Sequence, residues 1–183
     1  MKIRSNNYKT NRYKNRYKNI CYIGLGSNID DPILQLKTAI EKISCIHNVR
    51  ILKNSSFYKT KPVGFLEQPD FINAVIKVAT NLTPMSLFKQ LLTIEQQHKR
   101  VRTSGKNMPR TLDLDILFFD SRNINHKNLT VPHPRIKDRY FVLFPLFEIA
   151  PTMVKRFVGN IDFINKFKIN FASAKSNCSA LCI

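Results

Sequence analysis

Two aspartates at alternating positions, in Pro109-Arg110-Thr111-Leu112-Asp113-Leu114-Asp115-Ile116-Leu117-Phe118-Phe119, are the residues of this chain best placed to do chemistry. The run is β-branched and aromatic enough to form a strand, and alternate residues of a strand point to one face. Asp113 and Asp115 therefore project together, with Cα atoms roughly 6.5–7 Å apart, while Leu112, Leu114, Ile116 and Phe118 take the opposite face. Paired carboxylates on an apolar strand repel unless a cation lies between them. Hard oxygen ligands suit Mg²⁺, which takes one or two carboxylates and completes its shell with water and substrate phosphate oxygens. A solvated strand face carrying two acids is the plainer alternative, and the basic residues just ahead of the pair favour the metal.

Those residues are Arg100, Arg102, Lys106 and Arg110, with Glu95 among them. An arginine holds phosphate oxygens bidentately and never loses its charge at physiological pH. A metal-bound polyphosphate needs such cations for the oxygens that the metal leaves uncovered. The competing explanation is a solvated basic helix end, favourable to the helix dipole. A further segment, Leu129-Thr130-Val131-Pro132-His133-Pro134-Arg135, followed by Arg139 and Phe141, holds a histidine between two prolines. Each proline fixes its own φ and restricts the residue before it, so His133 is held rigidly. Gly24-x-Gly26-Ser27-Asn28 lacks both the Gly-x-x-x-x-Gly-Lys-Ser/Thr pattern and the third glycine of Gly-x-Gly-x-x-Gly. It reads as a tight strand-to-helix turn.

The elements that must position these groups follow from periodicity. Residues 20–26 read as a strand. Asp31-Pro32 opens a helix, an N-cap followed by a proline in the first turn, with Ile33, Leu36, Ala39, Ile40 and Ile43 at helical spacing. Residues 49–58 read as one strand and residues 71–79 as its antiparallel partner, Phe71, Asn73, Val75 and Lys77 alternating against Ile72, Ala74, Ile76 and Val78. Thr83-Pro84 starts a long helix to about Arg100, and a flexible loop over residues 103–108 leads into the aspartate strand. Residues 123–131 suggest one more short strand. A helix runs from Asp138 or Arg139 to Ile149, ended by Pro151. The order is β-α-β-β-α-β, a ferredoxin-like α+β core with additional C-terminal strand and helix elements.

The chain has 183 residues and a formal charge of +18. Residues 1–19 carry +7 of it and residues 155–183 carry +4, which leaves +7 on residues 20–154. The organisation expected is a disordered basic tail over 1–19, a catalytic domain over 20–154 and a basic extension over 155–183. The body is only moderately basic, as suits an enzyme handling polyphosphate. The charge and the Arg-Tyr-Lys-Asn repeat also allow a nucleic-acid-binding module on the same frame, but no aromatic RNP-type segment is present, and the acidic pair repels phosphate without metal. The four cysteines (Cys21, Cys45, Cys178, Cys182) show no zinc spacing. No apolar run approaches the roughly 20 residues of a membrane span, and a cytoplasmic location is expected.

The combined motifs resemble the 6-hydroxymethyl-7,8-dihydropterin pyrophosphokinase family of folate biosynthesis. The matching segments are residues 22–28, 55–64, 68–74, 95–102, 109–117 and 129–151, in order and with natural spacing. The resemblance implies transfer of the β,γ-diphosphate of ATP to the hydroxymethyl group of the dihydropterin, releasing AMP. It implies two Mg²⁺ held by Asp113 and Asp115, and Arg100 and Arg110 on the transferring group, with Asp115 near the attacking hydroxyl. It places Arg102, His133 and Arg139 on ATP phosphates, with Glu95, Ile116, Leu129 and Thr130 lining the nucleotide site. The pterin is expected to stack between Phe71 and Phe141, its polar edge read by Asn73 and by backbone near Thr60 and Val63. ATP and the dihydropterin are the partners, with no specific nucleic acid, no membrane, and a monomeric chain expected. The sequence departs from the family pattern at Lys61, Asn107, Met108 and Asn128, positions that bear on loop closure and ATP affinity. Both metal carboxylates and both central arginines are intact, so an active enzyme is expected rather than a degenerate relative.

Overall fold

The computed structural model describes residues 16–100, 108–158 and 178–181. The elements are β1 (Asn19–Ser27), α1 (Pro32–Ser44), β2 (Val49–Asn54), β3 (Phe57–Thr60), β4 (Phe71–Thr80), α2 (Pro84–Gln97), β5 (Asp113–Phe119), β6 (Ile124–His126), β7 (Leu129–Val131), a short 3-10 turn (Ile136–Asp138), α3 (Tyr140–Ile149), α4 (Pro151–Val158) and β8 (Cys178–Leu181). The main sheet runs β5-β1-β4-β3-β8, and β2 pairs the same edge of β4 as β3. With β2 and β3 counted as one broken strand, this is the ferredoxin-like order, β1 and β4 antiparallel at the centre.

Strand alternation divides the core between the two faces. Cys21, Ile23 and Leu25 of β1 and Ile72, Ala74, Ile76 and Val78 of β4 point to the face that Leu36, Ala39 and Ile43 of α1 and Leu87, Leu91 and Ile94 of α2 cover. Tyr22, Tyr58 and Val75 point to the other face, under Val142, Leu143, Leu146 and Ile149 of α3 and Val154 of α4. The caps are as the sequence suggests: Asp31 Oδ1 accepts from Leu34 N (3.2 Å) and Thr83 Oγ1 from Ser86 N (3.1 Å).

Several expectations are corrected. Residues 49–58 are not one continuous strand. At Ser55 the backbone N–H still donates to Val75 O (2.9 Å), but the side chain replaces the next ladder bond, Oγ accepting from Val75 N (2.9 Å). Glu148 of α3 then fastens the break, accepting from Ser56 N (2.9 Å), Ser56 Oγ (3.1 Å) and Tyr58 OH (2.9 Å). Phe118 does not share a face with Leu114 and Ile116. Tyr22 pairs Phe118 while Ile23 pairs Ile116, so the β1–β5 register shifts at Leu117. This irregularity puts both Leu117 and Phe118 on the face that α3 and α4 cover, where Phe118 meets Phe157 of α4 edge-on. Helix α2 stops at Gln97, because Lys99 turns left-handed at φ 56°. Residues 123–131 form a hairpin of two strands rather than one strand. Pro151 both ends α3 and opens α4. Strand β8 pairs β3 from Phe57↔Leu181 to Thr60↔Cys178. Among the described residues no helix is long and apolar enough to cross a membrane. The flexible loop expected at 103–108 lies outside the described residues except for Met108, as does most of the expected N-terminal tail.

Candidate active site

Beside α3, on the face of the sheet that α3 and α4 cover, lies a cavity of about 290 Å³. Its floor is set by strand register. Gly26 lies between Asp113 on β5 and Asn73 on β4, and Gly24 lies between Asp115 and Val75. Side chains directly opposite across a sheet sit about 4.5–5.5 Å apart, so glycine at the middle of each row leaves the floor open between the acids and the amide. A Cβ on Gly26 would come within 2.9 Å of Asn73 Oδ1, and one on Gly24 within 3.3 Å of Leu117 Cδ2. The glycines therefore do not form a strand-to-helix turn. They lie inside β1, and a reading of their alternation with Cys21, Ile23 and Leu25 would have placed them on the site face.

One wall is acidic and basic together. Asp113 Oδ1 meets Arg100 Nη1 (2.8 Å) and its Oδ2 meets Arg110 Nη1 (2.8 Å). Arg139 Nη1 lies 2.9 Å from Asp115 Oδ2, and His133 Nε2 lies 3.9 Å from the same oxygen. Glu95 is buried at the end of α2, where Oε1 pairs with Arg100 and accepts from Leu114 N (2.8 Å) on the outer edge of β5. Burial, and then the neighbouring Asp115 charge, hold the Asp113 carboxyl above its ordinary pKa against the pull of Arg110, Arg100 and Arg139. His133 donates its backbone N–H to Leu117 O (3.1 Å), and its Nδ1 accepts from Arg135 N (3.2 Å), which leaves the ring proton on Nε2, toward Asp115. Burial pushes the imidazole below its ordinary pKa, against the Asp115 charge.

The other wall is aromatic and amide. Phe71 opens β4 and Phe141 sits in the first turn of α3, and both line the cavity. The Arg110 guanidinium lies 5.3 Å from the Phe71 ring and that of Arg139 lies 5.7 Å from the Phe141 ring. Asn73 Nδ2 donates to Thr60 Oγ1 (2.8 Å), and both residues are buried. Val63 lines the mouth and is exposed, and Lys61, held by Asp70 (3.2 Å), sits beside it. Arg135 and Asp138 also line the cavity; the reading of the sequence did not select them for the site.

The sequence-selected residues thus fall into three groups. Asp113, Asp115, Arg110, Arg139, Phe71, Asn73, Phe141, Thr60 and Val63 line one cavity, with Arg100, Glu95 and His133 joined to its acids. Ile116, Leu129 and Thr130 are not brought to it. The Ile116 and Leu129 side chains are core on the α1–α2 face, and Thr130 is exposed on the hairpin. Arg102, Lys106 and Asn107 lie outside the described residues.

The donor set fits a hard divalent cation shared with a substrate. Two carboxylates enter the cavity from one strand face, and among the described residues no third His, Cys, Asp or Glu completes a protein-only cage. That is the pattern of Mg²⁺ held by one or two carboxylates and by phosphate oxygens. Arg110 Nε is buried with no hydrogen-bond partner among the described residues, an open donor in the wall where phosphate oxygens would lie.

The sequence matches the family described as 7,8-dihydro-6-hydroxymethylpterin-pyrophosphokinase over residues 22–151. A 2-amino-4-hydroxy-6-hydroxymethyldihydropteridine pyrophosphokinase of Haemophilus influenzae is 43% identical over 154 residues, 84% of this chain and 94% of that protein. The folic acid synthesis protein fol1 of Pneumocystis carinii is 44% identical over 138 residues, 75% of this chain but 18% of that longer protein. Among solved structures, an HPPK-DHPS in complex with substrates aligns over 91% of this chain and 47% of its own, with TM-score 0.67 and 16% identity. The Plasmodium falciparum HPPK-DHPS wild type aligns over 91% and 48%, with TM-score 0.63 and 17% identity. The chain spans about half of these structures, and at such identity they speak for the fold.

Proposed function

We propose a catalytic assignment for this chain, which belongs to the 7,8-dihydro-6-hydroxymethylpterin-pyrophosphokinase family. It is a pyrophosphokinase of folate biosynthesis, with ATP as co-substrate and the hydroxymethyl dihydropterin as acceptor. Family membership replaces the alternative of a nucleic-acid-binding module.

In this assignment the dihydropterin lies between Phe71 and Phe141, where two aromatic faces suit a flat heterocycle, with the Asn73–Thr60 pair at its polar edge. The triphosphate lies along the Asp113–Asp115 wall, with Arg139, Arg102 and His133 on its phosphates and with Glu95, Ile116, Leu129 and Thr130 on the nucleotide side. Contact at Ile116 and Leu129 is through backbone, since their side chains are core. The hydroxymethyl oxygen attacks the β-phosphorus. The bond from that phosphorus to the α,β-bridging oxygen breaks, AMP leaves, and both phosphoryl groups travel together. Asp115 accepts the hydroxyl proton. Arg100 and Arg110, which pair with Asp113, direct their charge to the transferring oxygens. Asp113 and Asp115 would hold two Mg²⁺, which supply Lewis-acid stabilisation of the attacking and leaving oxygens. The chain's own contribution is position: it brings two substrates into line across the floor between the acidic wall and the aromatic wall.

The assignment rests on one observation, the cross-strand row Asp113–Gly26–Asn73, which sets the phosphate-handling and pterin-handling groups on either side of an open floor. We extend it to a monomeric, cytoplasmic enzyme of residues 20–154 that needs neither tail for turnover. Incubation with ATP, magnesium and 6-hydroxymethyl-7,8-dihydropterin tests it. AMP and the pterin diphosphate should form in equal amounts, and only with magnesium present. Release of ADP, or magnesium-independent turnover, contradicts it.

A further inference from the structure

The sequence motif that ends in Asn28 leaves one residue without a role. Asn28 sits just beyond β1, buried, and it does not line the cavity. Its backbone N–H donates to Arg110 O (3.1 Å) and its Oδ1 accepts from Arg110 N (2.8 Å), a reciprocal clamp on one residue. Its Nδ2 donates to Gln68 Oε1 (2.9 Å) and to Pro69 O (3.1 Å). The first pair fixes the backbone of Arg110, three residues before Asp113. The second fixes the chain two residues before Phe71. Only a side-chain amide can accept on one side and donate twice on the other. Aspartate keeps the acceptor and loses both donors, and alanine loses all three side-chain bonds.

We propose that Asn28 is a positioning residue that sets the register between the phosphate-handling arginine and the pterin-stacking phenylalanine. The proposal rests on the pyrophosphokinase reading above. The amide acts through Arg110 and Phe71, whose side chains already meet at 5.3 Å, and touches neither substrate. Its two sides are separable: the Arg110 clamp governs turnover, and the Gln68–Pro69 clamp governs pterin capture.

The test compares the full chain with Asn28→Ala, Asn28→Asp and Gln68→Ala, by steady-state AMP release and urea unfolding. Asn28→Ala should lower kcat about 100-fold, as a misplacement near 1 Å can, and raise the pterin KM. Asn28→Asp should raise the pterin KM as much as alanine does but lose less kcat, because Arg110 N keeps its acceptor. Gln68→Ala should raise the pterin KM alone. An active wild type whose Asn28→Ala variant keeps both kcat and pterin KM overturns the proposal. So do equal kcat losses in the alanine and aspartate variants that follow equal losses of stability, the mark of a purely structural residue. If neither Asn28 variant folds, Gln68→Ala decides, and an unchanged pterin KM overturns the proposal. A wild type that releases no AMP refutes the underlying reading instead, so the two failures are distinguishable.

Discussion

Replacing Gly26 by alanine adds one methyl group to the floor of the site. Neither Gly26 nor Gly24 has a positive φ, so alanine meets no backbone strain at either position; the issue is space. At Gly26 the new Cβ would stand 2.9 Å from Asn73 Oδ1, where ordinary contact begins near 3.4 Å, so the amide must retreat by about 0.5 Å. That amide is committed to Thr60 at 2.8 Å, and both residues are buried. Disrupting a buried hydrogen bond costs about 1–2 kcal/mol, which is roughly 5- to 30-fold in an equilibrium. Part of that cost falls on folding, where alanine offsets about 0.4–1 kcal/mol through the unfolded chain. The remainder appears as weaker pterin binding. Steady-state AMP release should therefore show a raised pterin KM, with ATP KM and the urea midpoint close to wild type. Gly24→Ala is the matched control: its Cβ would meet the end of the Leu117 side chain at 3.3 Å, which can shift by a rotamer adjustment, and its effect should be smaller. A Gly26→Ala enzyme with wild-type pterin KM, or a Gly24→Ala enzyme harmed more, would refute the account of the floor.

Arg110→Ala should lower kcat about 100-fold or more, the scale of a lost charge-stabilising donor, while the pterin KM moves far less; equal losses in both would make Arg110 a positioning group only. His98 joins α2 to α1 by a bond from Nδ1 to Gln35 Oε1, and its Nε2 is buried without a partner among the described residues. Burial and then Lys42 hold its pKa below the ordinary value. The neutral ring is therefore the folded form. Its stability contribution is complete above about pH 6.5 and declines as pH falls from there toward the lower native pKa, because the unfolded chain binds the proton first. Urea midpoints followed across that interval should fall more steeply for wild type than for His98→Gln; parallel curves would contradict this.

The parts legible in the sequence were those set by local rules. The alternation of Asp113 and Asp115, the Asp31-Pro32 and Thr83-Pro84 helix starts, and the β-α-β-β-α-β order all follow from spacing within a few residues. What escaped depended on partners far along the chain. Phe118 changes face because β5 slips against β1 at Leu117, and nothing within β5 announces a slip that the neighbouring strand decides. Ser55 breaks a strand by putting its hydroxyl into the ladder of β4, twenty residues away. Gly24 and Gly26 resembled a turn because glycine pairs usually mark one, whereas here the space belongs to Asn73 and Leu117 across the sheet. Asn28 carries no local signal of its function, since its reach to Arg110 spans 82 positions. The pairing of Arg139 with Asp115 likewise needs the turn before α3 to return over β5. The resemblance supplied the roles of Phe71 and Phe141; as isolated aromatics they read as core.

The central claim is that the two strand acids hold divalent cations for a nucleotide. Electron paramagnetic resonance of Mn²⁺, titrated into the full chain with a non-hydrolysable ATP analogue, reads this without turnover. Two bound Mn²⁺ per chain are expected for wild type, the count of a two-metal phosphoryl site. Asp113→Asn together with Asp115→Asn should leave only the Mn²⁺ that the free analogue carries. Unaltered protein-bound Mn²⁺ in that double variant, with the fold intact, would contradict the claim.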